Sequence, residues 1–489
     1  MDVKVIGAGV GGLATAALLA KQGHNVTVLE KNKEPGGRAR IWNTDGFTFD
    51  MGPSWYLMPD VFEHYFDLFG RTVKDFYELV RLDPSYRFFF PNDEIIDISA
   101  DLKENMELFD QLEEDGAKKF QRYLKQSQDK YEYLLDGLMY EDLSGLRSML
   151  SPKLMAAGWK LSILSNMDKL IRKYFDDERV QKILQYTIVF LGGNPKNTPA
   201  LYSMISHIDY NLGVWYPLGG MGKIVDGLVS LTEEFNGTIK YNTEVANLEI
   251  LDNKVRQIFT NNGTIEADLV VVNADYPHVE INYLPDDFQT YDKGYWEKKT
   301  IAPSAYVMYV GLDKTIDTLT HHNVILDHDW VEHFEQIFED PQWPEKPAYY
   351  LCCTSKSDDS VAPPGHENIF VTVPISPGIE DTPEIRESYF DKMIEHMEKV
   401  LKTDIRDAIK VKRIFTLDDF SQDYNAYRGT AVGLTHSFWQ SAFFRPSHKS
   451  KKVDNLYYVG QYTHPGIGVP MALISAEIVA DLIKEEMKE

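Results

Sequence analysis

Gly7, Gly9 and Gly12 stand in the spacing Gly-x-Gly-x-x-Gly, and the carboxylate of Glu30 follows at about the 20-residue separation from which an acid reaches ribose hydroxyls. Such a set binds phosphate; it does not break bonds. Gly7 permits a tight turn, Gly9 lets backbone amides approach a pyrophosphate, and Gly12 lets a helix pack closely. The phosphates then meet the free N–H groups and the positive end of a helix dipole. The chemistry implied is dinucleotide binding, NAD or FAD, and the acid at position 30 disfavours the 2′-phosphate of NADP. The elements that must position these groups are legible around them. Val3-Lys4-Val5-Ile6 reads as a strand, 13–21 as a helix, and Asn25-Val26-Thr27-Val28-Leu29 as a second strand that delivers Glu30.

The next segment narrows the cofactor. Gly36-Gly37-Arg38 directly after the ribose acid resembles the continuation in flavoproteins of the amine oxidase and carotenoid desaturase superfamily. The resemblance implies non-covalent FAD, with Gly36, Gly37 and Arg38 beside the pyrophosphate and ribityl chain. A phenylalanine-rich strand then ends in Asp50-Met51-Gly52-Pro53-Ser54, which resembles bacterial-type phytoene desaturases. Three later stretches extend the likeness. Tyr216-Pro217-Leu218-Gly219-Gly220-Met221-Gly222 opens a helix and is followed by a strand reaching Val245, whose backbone contacts the adenine in the family. Asn273-Ala274-Asp275 ends a buried strand and resembles the family's turn near the cofactor.

The third stretch, 455–473, is the most specific. A strand ends at Gly460, a glycine-rich bend passes Thr463-His464-Pro465-Gly466, and Gly468, Val469, Pro470 and Met471 lead into a helix through 482. The resemblance sets that helix N-terminus against the flavin, where its partial positive charge would stabilise a reduced ring. Gln461-Tyr462 departs from the small residues that many family members carry there.

The resemblance implies desaturation of a linear, phytoene-like polyene: hydride leaves one carbon for flavin N5 and the neighbouring carbon loses a proton. Arg445, in Phe444-Arg445-Pro446, is a candidate to stabilise charge, and His464 a candidate proton shuttle, because a histidine's reference pKa near 6.5 suits exchange at neutral pH. Carotenoid isomerisation, 3,4-desaturation and desaturation of a C30 diapophytoene are alternatives within the family. An amine or porphyrinogen oxidase and a non-catalytic carrier lie further off. A hydrophobic polyene substrate and an electron acceptor such as a quinone or oxygen follow as partners.

At 489 residues the chain is too long for one core. Nucleotide-domain motifs at both ends and in the middle require a discontinuous Rossmann-type α/β domain, with a mixed-sheet substrate domain and a helical cap as insertions. The division expected is 1–99, 216–285 and 426–489 for the FAD domain, 100–215 for the cap and 286–425 for the substrate domain. A net charge of −25 repels nucleic acid. The only cysteines, Cys352 and Cys353, are adjacent, a spacing that suggests neither a disulfide nor a metal site, so no metal is expected. No run of roughly 18 apolar residues spans a bilayer and no export leader is visible, so a cytoplasmic protein is expected. Peripheral membrane association is expected through 153–175, where Lys153, Lys160, Lys169, Arg172 and Lys173 face Asp168 alone among apolar residues and Trp159.

Overall fold

The structure, a computed structural model, describes residues 1–143, 165–190, 192–194 and 196–488. Five short strands form a parallel sheet in the order Leu456–Tyr458, Leu269–Val272, Asp2–Ile6, Asn25–Leu29, Thr238–Lys240. Their central members are apolar on both faces because helices cover one side and a three-stranded antiparallel sheet, Val245–Leu251, Lys254–Thr260 and Gly263–Glu266, with the helix Tyr276–Asn282, covers the other. Ile6 pairs with Val272 and with Leu29, and Val272 pairs with Tyr458. That register makes the strands end level, so the segments that follow them emerge side by side at the carboxyl edge, where open α/β sheets bind ligands. The glycine turn, Glu30, Asn273 and Gly460 are neighbours for this reason.

The Val10–Lys21 helix is alanine-rich and almost wholly buried, lying between the sheet and the helices Gly222–Glu234 and Val469–Glu486 in one shared core. The C-terminal helix starts at Val469, with Pro470 in its first turn.

A second, seven-stranded sheet runs Ile409–Phe415, Ser304–Leu312, Glu367–Ile375, Tyr349–Cys352, His322–Ile325, Tyr86–Phe89, Ile95–Ile98. The Pro383–Leu401 helix packs Met393, Ile394 and Met397 against it. Its last two strands correct the division at 99. They form a hairpin that joins this sheet through a parallel pairing of Asn323 with Arg87, and local alternation carries no information about which sheet a strand will join. Residues 100–214 carry no strand among the described residues, and their helices, such as Leu102–Leu112 and Gly116–Leu135, build a separate aromatic core with the hairpin.

Of the basic stretch 153–175, residues 153–164 lie outside the described residues. The helix Met167–Tyr174 turns Met167, Leu170 and Ile171 inward and leaves Lys169, Arg172 and Lys173 in solvent. Among the described residues no helix is long and apolar enough to cross a membrane.

Candidate active site

One cavity of about 640 Å³ runs from the carboxyl edge of the parallel sheet to the face of the seven-stranded sheet and the cap. Every residue singled out on the sequence for cofactor contact lines it except Gly12, and so does His464. Gly12 lies just behind. Its Cα hydrogen faces the Gly7 carbonyl so closely that a Cβ would stand 2.1 Å from that oxygen, and Gly9 is held as tightly, 2.6 Å from Asn273 Oδ1. Gly7 and Gly36 adopt φ of +99° and +107°, left-handed backbone that excludes most side chains. Gly52 fits beneath the carbonyl of Arg38, 2.4 Å from where a Cβ would sit. The loops are pressed together by backbone: Gly7 N donates to the Leu29 carbonyl and Gly36 N to the Ala8 carbonyl, each at 2.8 Å.

Glu30 is buried, and its two oxygens accept from Ala8 N and Asn32 N, both at 2.8 Å. Burial pushes its carboxyl above the usual range, and the two amides work against that shift. The acid therefore braces the glycine turn as well as facing the cavity. Glu30→Gln can accept from only one of the two amides and presents an NH₂ to the other. We expect FAD affinity to fall about 10-fold, a loss of ~1.4 kcal/mol, in a flavin titration of apoprotein. Unchanged affinity would remove Glu30 from the cofactor site.

Arg38 lines the cavity with Nε buried and unpartnered, and its guanidinium lies over the Tyr424 ring at 5.2 Å. Gln461, with its amide oxygen turned toward the guanidinium, accepts at 3.2 and 3.3 Å. Tyr462 donates to Asp275 Oδ2 at 2.8 Å. The two residues that depart from the family pattern thus tie the C-terminal bend to the Gly-Gly-Arg and Asn-Ala-Asp segments. Gly460 N donates to Ser475 Oγ at 2.9 Å, and Asn273 Nδ2 donates to the Val459 carbonyl at 3.1 Å. No side chain caps the helix that starts at Val469, so its dipole acts on whatever occupies the cavity.

The structure separates the two catalytic candidates. Arg445 is buried and does not line the cavity; it donates Nε to the Thr463 carbonyl and Nη1 to the Gln440 carbonyl, each at 3.0 Å, and Nη2 to the Gln461 carbonyl at 2.5 Å. It holds the bend in shape. His464 faces the cavity with its Nε2 at 3.1 Å from the Leu138 carbonyl, so Nε2 carries the proton and the unpartnered Nδ1 presents a lone pair. Burial, with His448 beside it, pushes its pKa down to about 4, so the exchange at neutral pH expected from the free imidazole value does not hold.

Two features of the site lie outside what its motifs announce. The Leu417–Tyr424 helix ends over the nucleotide end of the cavity, where Asp423 pairs with Arg40 and Asn425 Oδ1 accepts from Lys31 at 3.0 Å. A polar Asp-Tyr-Asn run at a helix end was the only available signal. Asp50 Oδ1 accepts from Met221 N at 2.8 Å and so fastens the Asp-x-Gly-Pro strand to the Gly219–Gly222 turn; burial raises its pKa to about 7. Beyond the glycine loops the walls turn apolar, with Trp55, Leu138, Tyr186, Ile205, Trp330 and Phe370.

A model of the flavin containing amine oxidoreductase family matches residues 10–484. The carotenoid 3,4-desaturase of Haloarcula japonica is 47% identical over 487 residues, covering 99% of this chain and 98% of the relative. The zeta-carotene-forming phytoene desaturase of Myxococcus xanthus is 34% identical over 98% of this chain and 93% of its own. An oxidoreductase from Methanosarcina mazei superposes over 100% of both chains with a TM-score of 0.65 at 18% identity, a likeness of fold alone.

Proposed function

This chain belongs to the flavin containing amine oxidoreductase family and, within it, to the carotenoid desaturases, and from that membership we propose that it desaturates a linear isoprenoid polyene. The cofactor is FAD. The observation that carries the proposal is the single cavity, which joins a backbone cradle for a pyrophosphate to an apolar chamber for a hydrocarbon.

The fit to FAD rests on the glycine contacts that a Cβ would fill and on the unpartnered Arg38 Nε. Gly7, Gly9, Glu30, Arg38, Val245 and the Val469 helix end would hold it. When bound, FAD supplies the acceptor for the hydride taken from the substrate. The chain's own residues do the rest. Apolar walls exclude water and align the polyene, which has no polar group to grip. His464 Nδ1 offers a fixed lone pair. A pKa of about 4 makes it a weak base, but the C–H beside a carbon that has lost hydride is strongly acidic and needs no stronger one. Arg445 positions the bend that carries His464.

Expression in cells that make phytoene, its C30 analogue or an already desaturated carotenoid tests the function, since each added double bond moves the pigment's absorption to longer wavelength. A red shift in one host is expected; unchanged spectra in all three would overturn desaturation. The 47% identity to a 3,4-desaturase, against 34% to a phytoene desaturase, favours the already desaturated carotenoid as the substrate that responds.

A substrate of this kind reaches the cavity from lipid. Trp439 is 67% exposed and forms a cluster with Phe438, Phe443 and Phe444, with ring centroids 4.2 to 5.9 Å apart. Phe443 also lines the cavity, so this aromatic surface is continuous with the chamber wall. We place the membrane contact here, where a quinone or oxygen would also enter. Trp439→Ser with Phe444→Ser is expected to lower partitioning onto phospholipid vesicles about 10-fold, read by co-sedimentation, without loss of bound flavin. Equal partitioning would move the contact elsewhere.

A further inference from the structure

Adjacent cysteines and scattered histidines give no metal-binding spacing along the chain, but the seven-stranded sheet gathers three of these side chains. His322 pairs across the ladder with Cys352, and His321 directly precedes His322. One ligand atom from each of His321, His322 and Cys352 lies within 4.8 Å of the other two. All three residues are buried, with exposures of 3%, 0% and 2%. Neither nitrogen of His321 has a hydrogen-bond partner, nor has His322 Nε2. Buried imidazole nitrogens are rarely left this way, because each gives up its water for nothing.

We propose that His321, His322 and Cys352 form a binding site for zinc. Two imidazoles and a thiolate are the donor set that a borderline-soft, tetrahedral cation takes. Tetrahedral bonds of roughly 2.0–2.3 Å put donors about 3.5 Å apart, so the three atoms, each within 4.8 Å of the others, draw together on binding, with the fourth position open to water or a neighbouring group. His322 is already oriented for it. Its Nδ1 is 2.6 Å from Tyr350 Oη and its ring stacks on Trp55 at 4.1 Å and 7°, the kind of outer support that fixes a metal-binding imidazole. Ligation by Cys352 requires its thiolate, so binding releases the thiol proton. Asp358 lies close enough to His321 to act on its charge and contributes a negative field.

The site is separate from the cofactor cradle but touches its far wall, since Trp55 and Tyr350 line the cavity. Metal binding would therefore set the position of two rings that face the hydrocarbon. Cys353 serves as an internal control: it turns to the opposite face of the sheet, with Sγ 3.4 Å from Ser355 Oγ.

The test uses the flavin-loaded protein, dialysed against a weak chelator and analysed for zinc, iron and copper by mass spectrometry. Zinc equimolar with the chain is expected, retained in Cys353→Ser and lost in Cys352→Ser and His321→Ala. Metal-free protein titrated with Co²⁺ is expected to develop d–d bands to the red of the flavin absorption, which a three-donor tetrahedral site produces and a surface histidine does not. Retained flavin and an unchanged far-ultraviolet spectrum identify variants that have folded. Absence of both bound zinc and the cobalt bands in the unmodified protein would overturn the proposal without any variant, and so would zinc retained in the folded Cys352→Ser, His321→Ala double variant. The outcome is independent of whether the protein desaturates a polyene.

Discussion

Gly12→Ala is expected to give a folded protein that no longer retains FAD. The new Cβ would stand 2.1 Å from the Gly7 carbonyl and 3.0 Å from Asn273 Cβ, and neither neighbour is the end of a flexible side chain. The turn must therefore open, and with it the wall that Gly7 and Gly9 give the cavity. Overpacking against side chains costs about 1–3 kcal/mol, and backbone leaves the upper end of that range as the starting point. A loss of ~3 kcal/mol corresponds to more than 100-fold in FAD affinity. Desaturation should fall with the flavin content, and added FAD should restore it in part. Gly294→Ala is the control, since its nearest neighbour would be Asp292 Oδ1 at 3.5 Å and it should bind FAD normally. Wild-type affinity in Gly12→Ala would mean that the glycine turn does not hold the pyrophosphate.

Arg445→Met is expected to produce the largest loss of stability among the site residues. The substitution keeps much of the volume but removes three donors, two from the buried carbonyls of Gln440 and Thr463 and one from the half-buried carbonyl of Gln461. Each hydrogen bond to a charged group contributes about 1.5–3 kcal/mol, and relief from burying the cation offsets part of the sum. A net loss on the order of 3 kcal/mol is expected, read as a lower thermal midpoint of the holoprotein. Because Arg445 never reaches the cavity, the flavin absorption envelope should be preserved in whatever protein remains folded. Arg445→Lys should recover little, as one ammonium cannot reproduce a fork that spans three carbonyls. A stable Arg445→Met protein with no activity would instead make Arg445 a participant in the reaction.

These expectations rest on features that were unequally legible in the sequence. The glycine turns and the Asn273 and Gly460 segments could be read because backbone that must pass within contact distance of other backbone admits so few residue types. The strands beneath them were legible as apolar runs. What bound the pieces together was not. The Asp50 to Met221 N hydrogen bond links residues far apart in sequence, and nothing in either segment announces the other. The hairpin at Tyr86–Phe89 and Ile95–Ile98 reads as two strands of unspecified allegiance. His464 was placed at the cavity by its motif, yet its protonation depends on the Leu138 carbonyl and on His448, which only folding brings near. Reference pKa values describe a side chain in water and lose their force once it is enclosed.

The parallel sheet takes its central strand from the first residues of the chain and an edge strand, Leu456–Tyr458, from nearly the last. A ribosome releases the amino-terminal glycine turn long before the bend at Gly460 and the helix end at Val469 that close the cofactor cradle exist. Flavin loading therefore waits for the segment from Leu456 to Val469, and until then a nascent chain carries an unpaired sheet edge and an open apolar chamber. Cells that make this protein in quantity must shelter that edge, and scarcity of riboflavin should show itself as aggregation before it shows itself as missing pigment.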